Sequence, residues 1–206
     1  MIASAKDLER LGLAKIGPGK GSFSARDPET GYYYVTPSGK KYSSLVEEDI
    51  VVIDTDGNVV LGDKASVDFI FHKAIYDARP EINSVIHLHS PYATAFALNH
   101  LEIPVYMQVL ANTVGGSIPV AEFALPGTNE LANNIVNTMN GKINAVLMAN
   151  HGLVVCEKTI EKAAILASTV EDAAKSSAIA LMIGKPIELT QEQIDGALNF
   201  YTKNFK

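Results

Sequence analysis

The chain has 206 residues, 47% of them hydrophobic, with 17 Lys and Arg against 23 Asp and Glu for a formal net charge of −6 and a pI near 5.3. An acidic chain with no basic run lacks the electrostatic footprint of a nucleic-acid or anionic-membrane binder, so the expected partner is a small molecule. One cysteine excludes an internal disulfide framework.

Cys156 lies in the apolar run Leu153-Val154-Val155-Cys156 and reads as a buried, inert thiol that suits a reducing compartment. The first residues lack the apolar stretch of a signal peptide, and no segment approaches the ~18 consecutive apolar residues of a membrane span. The expectation is a soluble, cytoplasmic protein folded as a single domain over residues 1–206.

Ile2 to Leu13 has helical spacing, and Gly17-Pro18-Gly19-Lys20-Gly21 then breaks it, leaving a glycine loop able to cradle a ligand. Short strands are predicted at Tyr32 to Thr36, Asp49 to Asp54 and Val59 to Leu61, with a hairpin turn at Asp56-Gly57. Ser66 is the predicted cap of a helix through Phe69, Ala74 and Ile75 that Pro80 stops after Arg79. A buried strand, Ser84 to His89, follows. The apolar stretch Ile103-Pro104-Val105-Tyr106-Met107 suits a core strand or a subunit contact.

A helix is predicted to begin at Thr128, and the longest to run from Thr159 to about Met182 on a broad alanine-rich face, ended by Gly184 and Pro186. Interspersed strands and helices make an α/β or α+β domain.

The chemistry concentrates in His87-Leu88-His89. Alternate strand residues share a face, so these imidazoles project together, about 6 to 7 Å apart at the backbone, and can meet one metal ion. A third histidine, in Asn150-His151-Gly152, follows the apolar run Ala145 to Met148, and Asp68 adds a carboxylate one short helix upstream of the pair. Three neutral imidazoles with an open position describe a catalytic divalent-metal site of the zinc type. The pattern also admits hydrogen-bonded core histidines.

Several segments in order carry a resemblance: Ser24-Ala25-Arg26, Thr36-Pro37-Ser38-Gly39, Asp49-Ile50-Val51, Ala65-Ser66-Val67-Asp68, His72 to Tyr76 before Arg79-Pro80, His87-Leu88-His89-Ser90-Pro91, Pro126-Gly127-Thr128 and Asn150-His151-Gly152-Leu153. Together, from about Asp7 to Gly184, they resemble the class II aldolase/adducin family. The resemblance implies an α/β fold, a three-layer α/β/α sandwich around a mainly antiparallel sheet. It also implies a cyclic homotetramer with active sites between subunits, and a divalent ion, zinc or alternatively manganese or cobalt, on His87, His89 and His151. Asp68 would then be the general acid/base and could also touch the metal. Gly21, Ser22, Ser38, Gly39, Ser66 and Val67 would form the substrate's phosphate pocket, with Lys20 nearby.

The implied reaction is retro-aldol cleavage of a small ketose or ketose 1-phosphate, with the ion stabilising charge on oxygen and the carboxylate moving protons at carbon. The chain departs from the family pattern at Ser22, which stands where Asn is usual, at Val67, where a second Ser is usual, at Asp68, where the aldolases have Glu, and at Phe123, where the fucose-type aldolases place a proton-donating tyrosine. Tyr92 and Tyr106 are the nearest hydroxyls in sequence that could replace it. Epimerisation or dehydration at the same metal centre, and a non-catalytic adducin-like module, are the alternative functions.

Overall fold

The structure, a computed structural model, describes residues 1–14 and 21–205. Within them lie helices α1 (Ile2–Arg10), α2 (Phe69–Ala78), α3 (Pro91–Leu98), α4 (Gln108–Thr113), α5 (Asn129–Met139), α6 (Ile160–Ile183) and α7 (Gln191–Phe205). The strands are β1 (Gly21–Arg26), β2 (Tyr33–Val35), β3 (Val51–Ile53), β4 (Val59–Leu61), β5 (Ser84–Leu88), β6 (Val120–Ala121), β7 (Ala145–Met148) and β8 (Gly152–Glu157). They form one sheet ordered β4-β3-β2-β1-β5-β8-β7-β6, antiparallel except where β6 runs parallel to β7.

The central strands β5, β7 and β8 are buried on both faces and mostly apolar because helices cover both. Ile86, Leu88, Leu147, Leu153 and Val155 pack with α1, α3, α4, α6 and Ile194 of α7, whereas Val85, Val146, Met148, Val154 and Cys156 pack with α2 and α5. The alternation of neighbours between two cores is the period of a strand, and it makes the three-layer α/β/α sandwich that the resemblance implies. No helix among the described residues is long and apolar enough to cross a membrane.

Local chemistry sets most boundaries. Thr128 and Thr159 cap α5 and α6, their hydroxyls accepting from the N–H groups of Leu131 and Lys162. α1 ends three residues earlier than its periodicity suggests, turned by Gly12 at φ 76°. α2 begins after Asp68 rather than at Ser66, whose hydroxyl is drawn instead to the Asp68 carboxylate. The Ile103 to Met107 stretch is no strand: Ile103 makes a single bridge to Ile118, while it and Val105 fill the core. Pro104 denies that segment a ladder donor.

α3 fastens the parts that carry the site. Its first N–H groups, of Tyr92 and Ala93, donate to Glu171 Oε1 and Oε2 of α6 at 2.8 and 2.9 Å, a buried carboxylate at the positive end of a helix. Just beyond its other end, His100 Nε2 lies 2.6 Å from Asn150 Oδ1, and Ala97 O accepts from Asn150 N. α3 therefore spans from the segment holding His89 to the turn holding His151.

Candidate metal centre and its neighbouring carboxylate

β5 pairs on either side with β1 and β8, so the segment bearing His87 is fixed in the middle of the sheet. His87 faces the α2 side, and His89, one residue past the strand end, projects to the same side. His151 occupies the short turn between β7 and β8, where Asn150 adopts φ 56°. The three rings pack edge to face with centroids 4.7, 4.8 and 4.9 Å apart, and one nitrogen from each falls within 4.8 Å of the others.

Gly152 makes this approach possible. A Cβ built there would overlap the Leu88 carbonyl oxygen and stand 2.9 Å from His89 Cδ2 and 3.2 Å from His87 Cε1. Gly152→Ala should therefore displace the histidines and cost about 1–3 kcal/mol, read as a lower urea midpoint together with weaker zinc uptake.

The donor set fits a divalent cation. His87 Nδ1 donates to Leu153 O at 3.0 Å, and because a carbonyl only accepts, the Nε2 lone pair of the neutral ring points into the cluster. Burial pushes the His87 imidazole down to about 3, the His151 and His89 rings adding to the effect and Asp68 opposing it; burial lowers His151 as well. Neutral imidazoles, one already oriented from behind, are what zinc-type ions bind.

The Asp68 carboxylate, 6% exposed, stands outside that trio of ligand atoms but lines the same pocket as His151. Burial alone would raise its carboxyl; His87, His72 and hydroxyl bonds from Ser22 and Ser66 outweigh it and hold the group below the usual carboxylate range. It is ionised at neutral pH.

Gly21, Ser38, Gly39, Ser66 and Val67 line the pocket with Lys40, Tyr42 and Pro126. Ser22 is fully buried, its hydroxyl 3.0 Å from Asp68 Oδ2 and 2.9 Å from His72 Nε2, so it supports the carboxylate rather than facing the cavity. Lys20 and the glycine loop before Gly21 lie outside the described residues. Phe123 is 56% exposed. Tyr92 packs under Lys175, and neither it nor Tyr106 lines the pocket. The phenol that does is Tyr42, which sequence reasoning passed over; its hydroxyl donates to Gly21 O at 2.7 Å.

His72, fully buried on α2, also enters here. Burial pushes it from 6.5 down to about 4 against the pull of Asp68. The unfolded chain therefore binds a proton near pH 6.5 that the folded chain refuses until about pH 4. This contribution to stability is complete above that window and declines as pH falls through it, by about 3 kcal/mol. Urea midpoints of the metal-free protein should drop across the window, and His72→Gln should remove the part that His72 contributes.

A three-layer α/β/α sandwich with an unbroken antiparallel centre bears, at one end of its strands, a buried carboxylate and three convergent histidines that could hold a metal ion. The family model for the class II aldolase and adducin N-terminal domain matches residues 1–178, and the chain belongs to that family. It is 33% identical over 193 residues to the L-fuculose phosphate aldolase of Escherichia coli (strain K12), covering 94% of this chain and 87% of the relative. It is 32% identical over 198 residues to a 5-methylthioribulose-1-phosphate/5-deoxyribulose-1-phosphate aldolase of Rhodospirillum rubrum, covering 96% and 87%. A solved structure of an L-fuculose 1-phosphate aldolase superposes with a TM-score of 0.92 at 34% identity, covering 98% of this chain and 93% of that one.

Proposed function

We propose that the protein is a metal-dependent aldolase that cleaves a ketose 1-phosphate, or a closely related small ketose, by reversible retro-aldol reaction. The observation that carries this reading is the convergence of His87, His89 and His151, with the ionised Asp68 lining the same pocket as His151. The relatives named for fuculose, methylthioribulose and deoxyribulose phosphates support the substrate class. A divalent cation held by the three imidazoles, zinc before manganese or cobalt, would supply electrophilic stabilisation where charge collects on oxygen.

The remaining chemistry belongs to Asp68. Ser22 and Ser66 both donate to its Oδ2 at 3.0 Å, which leaves Oδ1 to exchange protons. The carboxylate takes the proton of the hydroxyl beside the breaking bond. That oxygen becomes the aldehyde carbonyl, the carbon–carbon pair passes to the ketose half, and the proton is then returned to carbon. One carboxylate thereby serves both ends of the cleavage, which suits a chain with phenylalanine at position 123. The Ser38 hydroxyl and the backbone of Gly21, Gly39 and Ser66 line the pocket for the substrate's anionic end, while Val67 presents an apolar surface to it.

Val67, Phe123 and Leu125 are 52%, 56% and 65% exposed around Pro126, and we assign their covering to another copy in a homotetramer. The reduced, buried Cys156 suits the cytoplasm.

Product analysis tests the reaction. Zinc-loaded protein incubated with L-fuculose 1-phosphate or 5-deoxyribulose 1-phosphate should yield two fragments, one a three-carbon keto phosphate. A single isomeric or dehydrated product would instead establish epimerase or dehydratase chemistry at the same centre.

A further inference from the structure

Behind Asp68 a row of buried polar groups runs away from the pocket. Ser22 and Ser24 share one face of β1, and His72 and Tyr76 stand one turn apart on α2, so strand and helix together align them. Ser22 Oγ is 3.0 Å from Asp68 Oδ2 and 2.9 Å from His72 Nε2, while Ser24 Oγ is 2.7 Å from His72 Nδ1 and 2.8 Å from Tyr76 Oη. Ser22, Ser24, His72 and Tyr76 are each fully buried.

Counting protons fixes the direction of every bond. An ionised carboxylate only accepts, so the single proton of Ser22 is given to Asp68. Ser22 must then accept from His72, which places the imidazole proton on Nε2. A neutral ring has no second proton, so Nδ1 accepts from Ser24. That uses the proton of Ser24, and Tyr76 donates to it. With the opposite tautomer, two lone pairs would face each other across 2.9 Å unless Ser22 abandoned Asp68.

We propose that His72 is a positioning residue for Asp68: its Nε2–H, set by Ser24 and Tyr76, keeps the Ser22 hydroxyl on Oδ2 and so holds the carboxylate with Oδ1 toward the pocket. The role rests on the reading of Asp68 as the acid/base group. The row has no slack, because each hydroxyl has one proton and one use for it. A plain packing role for an imidazole at this position would require neither tautomer nor direction.

The test has two readouts on the zinc-loaded protein. In long-range ¹H–¹⁵N spectra, with His72 assigned by its disappearance in His72→Gln, the ring should be the neutral Nε2–H tautomer at neutral pH. An Nδ1–H ring or an imidazolium would overturn the proposal. The second readout is a double-mutant cycle of Ser22→Ala and His72→Leu with L-fuculose 1-phosphate as probe. His72→Leu should lower kcat about tenfold, with KM and zinc content held within about twofold. His72→Gln, whose amide can donate to Ser22, should recover most of the loss. In the Ser22→Ala background His72→Leu should add nothing, since the effect travels through Ser22. Additive losses would make His72 a packing residue only and end the proposal.

Failure of the two readings is separable. Full activity in Asp68→Asn would remove the acid/base assignment, whereas an inactive Asp68→Asn with an additive cycle would remove the positioning role alone. Should the probe not be turned over, or His72→Leu not fold, the tautomer still decides whether the row is directed as described.

Discussion

Replacing His87 with alanine is expected to strip the divalent cation from the protein and abolish turnover with it. Of the three imidazoles, His87 is the one buried to 1% exposure and oriented from behind by the Leu153 carbonyl. A truncated side chain there removes a ligand and leaves a hole in the middle of the sheet that His89 and His151 cannot span alone. Electrophilic stabilisation by a metal contributes several kcal/mol to such a transition state, so kcat should fall by about 10³-fold or more. Elemental analysis by plasma mass spectrometry should find near one ion per chain in the wild type and almost none in the variant. Added zinc should raise the melting temperature of the first and leave the second unmoved, because a ligand that binds only the folded state stabilises it. A metal-free wild type that zinc does not stabilise would reduce the three histidines to core packing.

Asp68→Asn separates the proton chemistry from the metal. The amide is nearly isosteric, retains an oxygen to accept from Ser22 and Ser66, and leaves the three imidazoles undisturbed, so metal content should stay at the wild-type level. Loss of a positioned general acid/base should lower kcat about 10²- to 10⁴-fold, with a smaller change in KM. Because the folded carboxyl lies below its ordinary range, the wild-type protein should retain its working ionisation well into the acid. Full activity in the variant would transfer the proton steps to another group, for which Tyr42, lining the same pocket, is the first candidate.

The histidine cluster was legible because its signal is short in range: two histidines on one strand face, and a third beside the glycine that its close packing requires. The hairpin at Asp56-Gly57, the threonine caps at positions 128 and 159 and the long α6 helix declared themselves locally in the same way. β1 did not, since Gly21-Ser22-Phe23-Ser24 alternates a large apolar residue with small polar ones whose purpose appears only when α2 lies against them. α3 carries no amphipathic stripe: it is apolar nearly all round, and its cap comes from Glu171, 79 positions from Tyr92. The start of α7 did leave a sign. Thr190 and Gln193 form a reciprocal capping box that the sequence spells out as Thr-Gln-Glu-Gln. His72 could have been found as the polar residue one turn before Tyr76 on an otherwise apolar helix face, although nothing in its neighbours along the chain names Ser22 and Ser24 as its partners.

The pairing of β5 with β8 brings His87 opposite Val154 and Leu88 opposite Leu153, joining segments 66 residues apart. The three imidazoles cannot meet before that ladder has zipped, and loop closure over such a distance comes after local helices have formed. A cation held by these imidazoles would therefore be a latecomer to an already assembled sheet rather than a nucleus around which the chain gathers, and its capture during refolding would mark the moment the centre of the molecule closes.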